Sequence, residues 1–301
     1  MRYGIIDIGS NTIRTVVYEV EGTDFSQLIS EKDFSEIISY VQGKVLVSAG
    51  VERLVSVLAE RVKLCRLVDC SEIFCFATAS LRNVENQKEV TEKLREEAGI
   101  EVRLLSGEEE AHYDFLGLKC EISDQDGIGL DLGGGSCQVF SFREGKVETN
   151  ASLKIGSLVM YNRYVEGILP TSEEMQDIRN HVKNKLKKLP ELKKLELPTL
   201  YAMGGSARAA AKLHRALTGN NMPAAEYKIT LQQMEELCNI ESDLGVNGIR
   251  LIGKVVPERL NTLIPGLVVL KTICKYVGAL QIQIVKNGVR EGYLWENILK
   301  R

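Results

Sequence analysis

The sequence predicts an α/β protein with two domains of similar design. Apolar stretches of strand length alternate with amphipathic stretches of helical length along the whole chain. One arrangement, an apolar strand followed by Asp-x-Gly and a second strand, opens each half, at 7–9 and again at 131–133. The chain has 301 residues, of which 44% are hydrophobic, and this is enough for two separate cores.

The first half opens with a predicted β-hairpin. Strands are expected at 3–7 and 13–20 around a turn at 9–11, and a third strand is expected at 25–30. Apolar residues at helical spacing, among them Leu54 and Leu58, predict a helix over 49–67. The elements that follow alternate between strand and helix, at 72–77, 84–98, 102–105 and 107–119.

The second half repeats this order. Strands are predicted at 127–132, 136–142, 146–153, 197–203 and 282–285. Helices are predicted at 158–165, 172–189 (with Thr171 or Ser172 as N-cap), 206–216, 231–241, 257–277 and 290–300. The helical region at 257–277 is expected to be interrupted at Pro265-Gly266. The predicted domains are 1–122 and 123–301, with the last helix packing back on the first domain.

Composition and charge exclude several classes of protein. The chain has 38 Lys and Arg against 41 Asp and Glu, so its net charge of -3 rules out a strongly basic nucleic-acid coat and gives no support for a polybasic membrane binder. No apolar run approaches the roughly 18 residues needed to span a bilayer, and Asp7 comes too early for the apolar core of a signal peptide. We therefore expect a cytoplasmic protein that binds neither nucleic acid nor membrane, with the oligomeric state open and a homodimer among the options.

The cysteines and histidines suggest no metal site. Cys65, Cys70 and Cys75 are spaced by five residues, which is not a zinc-ligand spacing, and all seven cysteines are expected to be free thiols. The three histidines are scattered and form no recognisable catalytic triad. If the protein is an enzyme, its acid–base chemistry is therefore expected to rest on carboxylates.

Two polar, glycine-containing loops are the main functional signal. Loop 1 consists of Gly9, Ser10, Asn11 and Thr12, and loop 2 of Gly133, Gly134, Gly135 and Ser136. A phosphate bound without a P-loop lysine needs several backbone N–H groups, and glycine lets the backbone come close. Either loop alone suits a simple hairpin turn, but two equivalent loops can hold the phosphates of one ligand between them. Asp7 and Asp131 would then hold a divalent cation, Mg²⁺ or another, largely through its waters.

Six ordered motifs extend this signal along the chain. They are Asp7-Ile8-Gly9-Ser10-Asn11-Thr12 with Arg14, Ala77-Thr78-Ala79-Ser80-Leu81-Arg82 with Asn86, Leu105-Ser106-Gly107-Glu108-Glu109-Glu110-Ala111, Asp131-Leu132-Gly133-Gly134-Gly135-Ser136, Gly204-Gly205-Ser206-Ala207-Arg208 and Val289-Arg290-Glu291-Gly292. This set resembles the exopolyphosphatase / guanosine pentaphosphate phosphohydrolase family of the actin/Hsp70/sugar-kinase superfamily, in its short two-domain form. The resemblance covers essentially the whole chain. It implies an α/β fold of two ribonuclease-H-like (actin-like ATPase) domains with an interdomain cleft.

The resemblance also implies roles for individual residues. Glu110 takes the catalytic position and orients the water that attacks the terminal phosphorus, while Arg82 and Arg14 bind phosphate oxygens. The three adjacent carboxylates at 108–110 are expected to raise one another's pKa. From the residues alone, the glutamates equally suit a solvated first helical turn, and each arginine suits a solvated surface.

The implied activity is hydrolysis of the terminal phosphoanhydride bonds of inorganic polyphosphate, which releases orthophosphate. Guanosine pentaphosphate is the alternative substrate, because Gly204, Gly205 and Ser206 resemble the adenosine-binding turn of superfamily kinases. A non-hydrolytic sensor of polyphosphate or alarmone is another alternative, since Gln138 stands where the family usually has a metal-binding glutamate. A kinase-like transferase is a third, which the glutamates at 108–110 make less attractive.

A basic run lies between residues 183 and 194. Its members are Lys183, Lys185, Lys187, Lys188, Lys193 and Lys194. Such a run usually forms a solvated helix face. Its functional interpretation is a contact for nucleotide or polyphosphate, in which Lys183 and Lys187 hold the distal part of a polyphosphate chain.

Overall fold

The computed structural model describes residues 1–195, 197–220, 222 and 227–300, and it divides into two compact units. Unit 1 comprises Met1–Glu110 and Tyr293–Arg301, and unit 2 comprises Ala111–Gly292. The domain division after residue 122 and the packing of the last helix on the first domain stay predictions.

Unit 1 is built on a five-stranded sheet with the order β3-β2-β1-β6-β7. Its strands are β1 (Arg2–Ile8), β2 (Ile13–Glu21), β3 (Asp24–Asp33), β6 (Glu72–Ala77) and β7 (Val102–Leu104), and a separate ribbon joins β4 (Val41–Gln42) to β5 (Val45–Leu46). β1, β6 and β7 are parallel, whereas β2 and β3 are antiparallel to their neighbours. The carboxyl ends of β1, β6 and β7 therefore lie at one edge of the sheet.

The helices of unit 1 cover this sheet. They are α1 (Ser48–Leu67), α2 (Ala79–Arg82), α3 (Gln87–Lys93, continued by a π-helical turn at Leu94–Ala98) and α4 (Gly107–Lys119), which runs on into unit 2. α1 buries Leu54 and Leu58, and they share one apolar cluster with Ile6 and Ile8 of β1. The helical spacing of apolar residues in the sequence predicts this buried face.

Unit 2 repeats the strand order of unit 1. Its sheet has the order β10-β9-β8-β11-β13-β12, with β8 (Gly127–Leu132), β9 (Cys137–Arg143), β10 (Lys146–Leu153), β11 (Thr199–Met203), β12 (Lys228–Thr230) and β13 (Gln281–Ile284). The first five positions match unit 1 strand for strand, because β8 and β9 form a hairpin and β8, β11 and β13 are parallel. β12 adds an edge strand. The predicted repeat at the scale of a domain is confirmed.

The helices of unit 2 surround a large apolar core. They are α5 (Ser157–Tyr164), α6 (Ser172–Leu186), α7 (Gly204–Thr218), α8 (Leu231–Cys238), α9 (Ile240–Leu244), α10 (Val246–Val255), α11 (Leu263–Tyr276) and the start of α12 (Val289–Leu294). The end of α12, from Tyr293, and the π-helical turn that follows at Trp295–Leu299 belong to unit 1. α6 begins with Thr171 as its N-cap, in a capping box with Glu174. α11 is buried along most of its length and contributes Leu267, Leu270 and Ile273 to the core.

Pro265 does not interrupt its helix, so the break expected at 265–266 is wrong. α11 begins at Leu263, which makes Pro265 its third residue. In the first helical turn a backbone N–H has no partner within the helix, so proline loses nothing there. The Gly266 N–H resumes the helical pattern by donating to the Thr262 carbonyl at 3.1 Å. The actual break lies earlier, where Pro257–Arg259 forms a separate 3₁₀ turn.

Two further observations concern the cysteines and the membrane. All seven cysteines are free thiols, as expected from their spacing. Within the described ranges, no helix combines the length and the apolar character that crossing a bilayer requires.

Candidate functional site

Loops 1 and 2 have the same backbone geometry. In loop 1 the Gly9 N–H donates to the Thr12 carbonyl at 3.0 Å, and in loop 2 the Gly133 N–H donates to the Ser136 carbonyl, also at 3.0 Å. Each loop connects the first two strands of its sheet and starts at the carboxyl end of the central strand. The structural repeat therefore extends from the order of the strands to individual hydrogen bonds.

Loop 1 is held by backbone contacts from a neighbouring segment of unit 1. Ser10 and Asn11 are buried, and their carbonyls accept hydrogen bonds from the N–H groups of Ile38 (3.2 Å) and Glu36 (3.0 Å). Ser80 donates from its Oγ to the Ile8 carbonyl at 2.7 Å, which ties the start of α2 to the end of β1. The loop is thus preorganised before any ligand binds.

Loop 2 is held by the N-terminus of α5. The Gly133 carbonyl accepts from the Ser157 N–H, and the Gly134 carbonyl accepts from the N–H groups of Leu158 and Val159, at 3.0–3.1 Å. These N–H groups have no partner within the helix, so the loop satisfies them. Gly156 allows the N-terminus of α5 to come this close to loop 2, because a Cβ at position 156 would collide with the Gly134 carbonyl.

The buried Glu110 and the half-buried Arg82 form an ion pair in unit 1. Glu110 is 7% exposed, and its Oε2 accepts a hydrogen bond from Nη1 of Arg82 at 2.9 Å. The same Nη1 donates to the Leu105 carbonyl at 2.8 Å. In the described part of the chain, no group accepts a hydrogen bond from Nε or Nη2 of Arg82. Half of this guanidinium therefore holds Glu110, and the other half can bind an anion.

The parallel strands bring these groups to one edge of the sheet. Loop 1 follows β1, Arg82 lies at the end of α2 just after β6, and Glu110 lies in the first turn of α4 just after β7. In α/β sheets, ligands bind beyond the carboxyl ends of the strands. Unit 1 thus carries loop 1, Arg82 and Glu110 at one edge of its sheet, and their roles in phosphate binding and catalysis stay predictions.

The three adjacent glutamates have different environments. Glu108 is exposed, whereas Glu109 accepts from the Ser106 N–H at 2.8 Å and forms an ion pair with Arg103. Ser106 in turn accepts from the Glu109 N–H through its Oγ, which completes a capping box. The hydrogen bond from the Ser106 N–H and the charge of Arg103 lower the pKa of Glu109. The expected mutual rise in pKa is therefore wrong for Glu109, because these local donors outweigh repulsion between neighbouring carboxylates.

Arg14 and Asp7 lie opposite each other on β2 and β1. Nε and Nη2 of Arg14 donate to the Ser30 hydroxyl on β3, at 3.3 and 3.1 Å. This contact directs the guanidinium toward β3. Phosphate binding by Arg14 and metal binding by Asp7 stay predictions.

Gln138 of unit 2 occupies the position that Arg14 occupies in unit 1, because it lies opposite Asp131 on the paired strand. It is 1% exposed, and its amide nitrogen donates to the hydroxyls of Ser136 (3.0 Å) and Ser152 (3.1 Å). Cross-strand neighbours have Cβ atoms about 5 Å apart. Position 138 is therefore adjacent to the aspartate predicted to hold the metal, and its present side chain fixes the end of loop 2.

Asp131 fits the role of a single magnesium ligand. No three His, Cys, Asp or Glu side chains come together as a metal site in the described residues. Mg²⁺ commonly takes one or two carboxylates and completes its coordination with waters and substrate phosphates. The Asp131 carboxylate lies against Gly204, which has φ of +89°, and a Cβ there would collide with Oδ1. Glycine therefore leaves room beside this carboxylate.

Three buried or half-buried arginines of unit 2, Arg208, Arg259 and Arg290, form a cluster that the loop signal does not predict. Burial lowers the pKa of Arg208 and of Arg259, and the negative charge of Asp131 opposes both shifts. Arg208 and Arg290 lie within the motifs quoted above, but Arg259 follows Pro257-Glu258 and carries no sequence signal. Buried guanidinium groups near loop 2 are further candidates for contact with phosphate.

The other residues predicted to contact nucleotide or polyphosphate lie elsewhere in unit 2. Gly204 and Gly205 begin α7, and Gly205 packs against the Arg259 guanidinium. Ser206 is 1% exposed and faces Gly266, so its hydroxyl belongs to the interior of the unit. Lys183 and Lys187 line a cavity beside α6 and α11, whereas Lys185 and Lys188 line a different one. The basic run is therefore split between two faces, and the side chain at 194 lies outside the described part of the chain.

Comparisons with known proteins agree with this architecture. The sequence model of the Ppx/GppA phosphatase family matches residues 16–301. Exopolyphosphatase 1 of Mycobacterium tuberculosis is 26% identical over 98% of this chain and 87% of its own length. The guanosine-5'-triphosphate,3'-diphosphate pyrophosphatase of Photobacterium profundum is 24% identical over 99% of this chain and 59% of its own.

Solved structures give the same fold. The crystal structure of an exopolyphosphatase from Cytophaga hutchinsonii superposes with a TM-score of 0.89 and 17% identity, covering 100% of this chain and 98% of that one. The Aquifex aeolicus member of the Ppx/GppA family superposes with a TM-score of 0.81 and 22% identity, covering 100% of this chain and 98% of that one. The predicted α/β fold with two actin-like halves is confirmed. The family model, the matching fold and the paired loops lead to one conclusion: this chain belongs to the Ppx/GppA phosphatase family.

Proposed function

We propose that this protein is an exopolyphosphatase that releases orthophosphate from the end of inorganic polyphosphate. The observation that carries the proposal is the ion pair of the buried Glu110 with Arg82, at the sheet edge that also holds loop 1. A carboxylate can accept a proton from water, and the guanidinium beside it can bind the phosphoryl group that this water attacks.

Each group has a separate task in this mechanism. Glu110 orients the attacking water and accepts its proton, and Arg82 fixes the Glu110 carboxylate through Nη1. The remaining N–H groups of Arg82 bind the terminal phosphoryl oxygens, where charge develops in the transition state. The backbone N–H groups of loops 1 and 2 and the guanidinium of Arg14 bind the phosphates that follow.

A divalent cation, Mg²⁺ or another, would be held by Asp7 and Asp131 and would neutralise charge on the phosphates. The chain's own contribution is to keep these two carboxylates at the ends of β1 and β8, the central strands of the two sheets. The cytoplasmic location, the absence of nucleic-acid and membrane binding, and a homodimer stay predictions.

Guanosine pentaphosphate is the second candidate substrate, because the Photobacterium profundum relative is named for a nucleotide of this kind. It is the less favoured candidate, since this chain spans 59% of that relative but 87% of the mycobacterial exopolyphosphatase. A non-hydrolytic sensor is disfavoured, because Gln138 has a structural explanation in its two serine contacts.

The proposal is tested by measuring orthophosphate released from long-chain polyphosphate, guanosine pentaphosphate and ATP, each with Mg²⁺. We expect polyphosphate to have the highest kcat/KM of the three. A preference for guanosine pentaphosphate would select the second candidate. Tight binding of polyphosphate without release would select the sensor.

A further inference from the structure

A basic pocket in unit 2 is not used by the mechanism above. It encloses about 560 Å³ and lies among α6, α8, α11 and the 3₁₀ turn at Pro190–Leu195. Six cationic side chains line it: Arg179, Lys183, Lys187, Lys193, Lys271 and Lys275. Neither loop 1, loop 2 nor the Glu110–Arg82 pair contributes a side chain to it.

Five of the six cations of the pocket form two rows. Arg179, Lys183 and Lys187 follow one another at intervals of four residues along and just beyond α6. Lys271 and Lys275 have the same interval on α11, which packs against α6. Residues four apart lie on one helix face at a rise of about 6 Å. Two packed helices therefore each present a row of positive charge to one cavity.

A single carboxylate in the lining balances this charge. Glu235 of α8 forms an ion pair with Lys271 and approaches Arg179 at 3.9 Å. No carboxylate in the described ranges pairs with Lys183, Lys187 or Lys275. Like charges held together lower stability unless an anion offsets them. The cluster is thus electrostatically incomplete.

Burial strengthens the case for a ligand. The Lys271 side chain is only 14% exposed, and Lys193 stacks on the Tyr276 ring at 4.6 Å. The Tyr276 hydroxyl donates to the Leu186 carbonyl at 2.7 Å, which fixes the ring as one wall of the pocket. Burial and the charges of Arg179 and Lys275 lower the pKa of Lys271 to about 8.

We propose that the basic pocket is a second, non-catalytic anion site that binds an oligophosphate group of about three phosphates. In the absence of ligand, Glu235 occupies part of the cationic surface, and a bound phosphate would displace it from Arg179 and Lys271. Several cations around a cavity of small-molecule size suit a compact polyanion. The site depends on neither Glu110 nor turnover, so it goes beyond the proposed function.

The first experiment measures binding of imidotriphosphate, whose P–N–P bridges resist hydrolysis, to the whole protein by calorimetry. We expect Lys183→Gln with Lys275→Gln to weaken binding at this site about tenfold or more, because two charge-assisted contacts are lost. Glu235→Gln should tighten binding by roughly threefold or more, because it removes the competing carboxylate. Lys254→Gln, an exposed lysine of α10 outside the pocket, is the matched control and should leave the affinity unchanged.

A labelling experiment on the unaltered protein locates the site, and its result does not depend on whether the variants fold. Imidotriphosphate should protect Lys183, Lys271 and Lys275 from acetylation, measured by mass spectrometry, while Lys254 stays reactive. The ligand could be a free oligophosphate or the triphosphate group of a nucleotide, and the imido analogue of ATP distinguishes the two. If this analogue protects the three lysines as well as imidotriphosphate does, the site binds the triphosphate group alone. If the analogue protects them better, the site binds a nucleotide.

Unchanged affinity in the double lysine variant, together with absent protection of the three lysines, would overturn the proposal. Equal protection by orthophosphate would also overturn it, since a site for oligophosphate must discriminate against a single phosphate. If the protein released no phosphate from polyphosphate, these binding results would still stand. The proposed activity and the proposed oligophosphate site can therefore be contradicted independently.

Discussion

At the scale of single residues, the glutamates that open α4 show how identical side chains acquire different roles. Glu109 caps the helix through Ser106 and pairs with Arg103, whereas Glu110 is buried against Arg82. The difference follows from position, because N3 of a helix faces the N-cap and the next residue faces the body of the unit. Burial and pairing, and not the acidic run itself, identify the candidate base.

Glu109 should contribute to stability in a way that depends on pH. Its pKa is lowered below the ordinary value of 4.5, so its contribution is fully present above that value and is lost as pH falls through the folded-state pKa. We expect the difference in unfolding free energy between the protein and Glu109→Gln to be largest near neutral pH and to vanish in acid. Denaturant titrations at several pH values measure this difference in unfolding free energy. A difference that did not change with pH would show that the ionised Glu109 carboxylate does not stabilise the fold.

Gln138→Glu tests whether position 138 reaches the metal. The new carboxylate would be buried next to Asp131, so without metal it should lower the melting temperature. With Mg²⁺ present, the added anionic ligand should restore stability and lower the Mg²⁺ concentration for half-maximal phosphate release. Gln138→Met, a neutral change of similar size, serves as the control. If the Mg²⁺ midpoints of the three proteins coincide, position 138 lies outside the coordination sphere.

At the scale of elements, α5 is the support of loop 2. Its first N–H groups bind the carbonyls of Gly133 and Gly134, and this contact requires Gly156. Loop 1 is held instead by the start of a short 3₁₀ helix (Ile37–Tyr40), through the N–H groups of Glu36 and Ile38. The two loops share a hydrogen-bond pattern but have different supports, so we expect them to respond differently to substitution.

Gly156→Ala should destabilise unit 2, because its Cβ would collide with the Gly134 carbonyl. Overpacking of this kind typically costs about 1–3 kcal/mol, and loop 2 should shift with a loss of phosphate release. Gly253→Ala is the matched control: it lies within α10 with nothing within 4 Å of the added atom. That change should stabilise the protein by about 0.5–1 kcal/mol. The melting temperatures of both variants measure these effects. If both temperatures shifted in the same direction, Gly156 would not be required for the contact between α5 and loop 2.

The predictability of the elements follows from their local signals. β8, β10 and α4 have the predicted bounds, because a glycine lies at or next to the start of each element, beside its apolar pattern. β6 also has the predicted bounds, because its apolar residues stand between polar ones. α10 is missed, since Gly248 and Gly253 obscure its apolar stripe. The arginine cluster of unit 2 is missed for another reason: Arg259 is brought to Gly205 by tertiary packing, which leaves no trace in local sequence.

At the scale of the whole molecule, a net charge of -3 coexists with concentrated positive charge near the predicted phosphate contacts. A polyanionic substrate is attracted by local fields and not by net charge. Such fields are screened over about 8–10 Å at ionic strengths near 0.1–0.15 M. Substrate capture should therefore be more sensitive to salt than the chemical step.

We expect KM for long-chain polyphosphate to rise on the order of tenfold between low and high salt, because electrostatic attraction governs encounter. The value of kcat should change little, since Glu110 and Arg82 are largely shielded from solvent. Steady-state kinetics at constant free Mg²⁺ give both constants. A kcat that fell while KM stayed constant would place the salt effect on the chemical step and contradict this expectation.

The role of Glu110 is tested by measuring phosphate release by Glu110→Gln and Glu109→Gln side by side on long-chain polyphosphate. Both changes replace a carboxylate by an amide at adjacent positions of α4. If Glu110 accepts the proton of the attacking water, Glu110→Gln should lower kcat about 10²–10⁴-fold with substrate binding retained. Glu109→Gln should stay within roughly threefold of the unaltered protein, because glutamine also completes a capping box. Equal activity of the two variants, or a larger loss in Glu109→Gln, would contradict the assignment of Glu110.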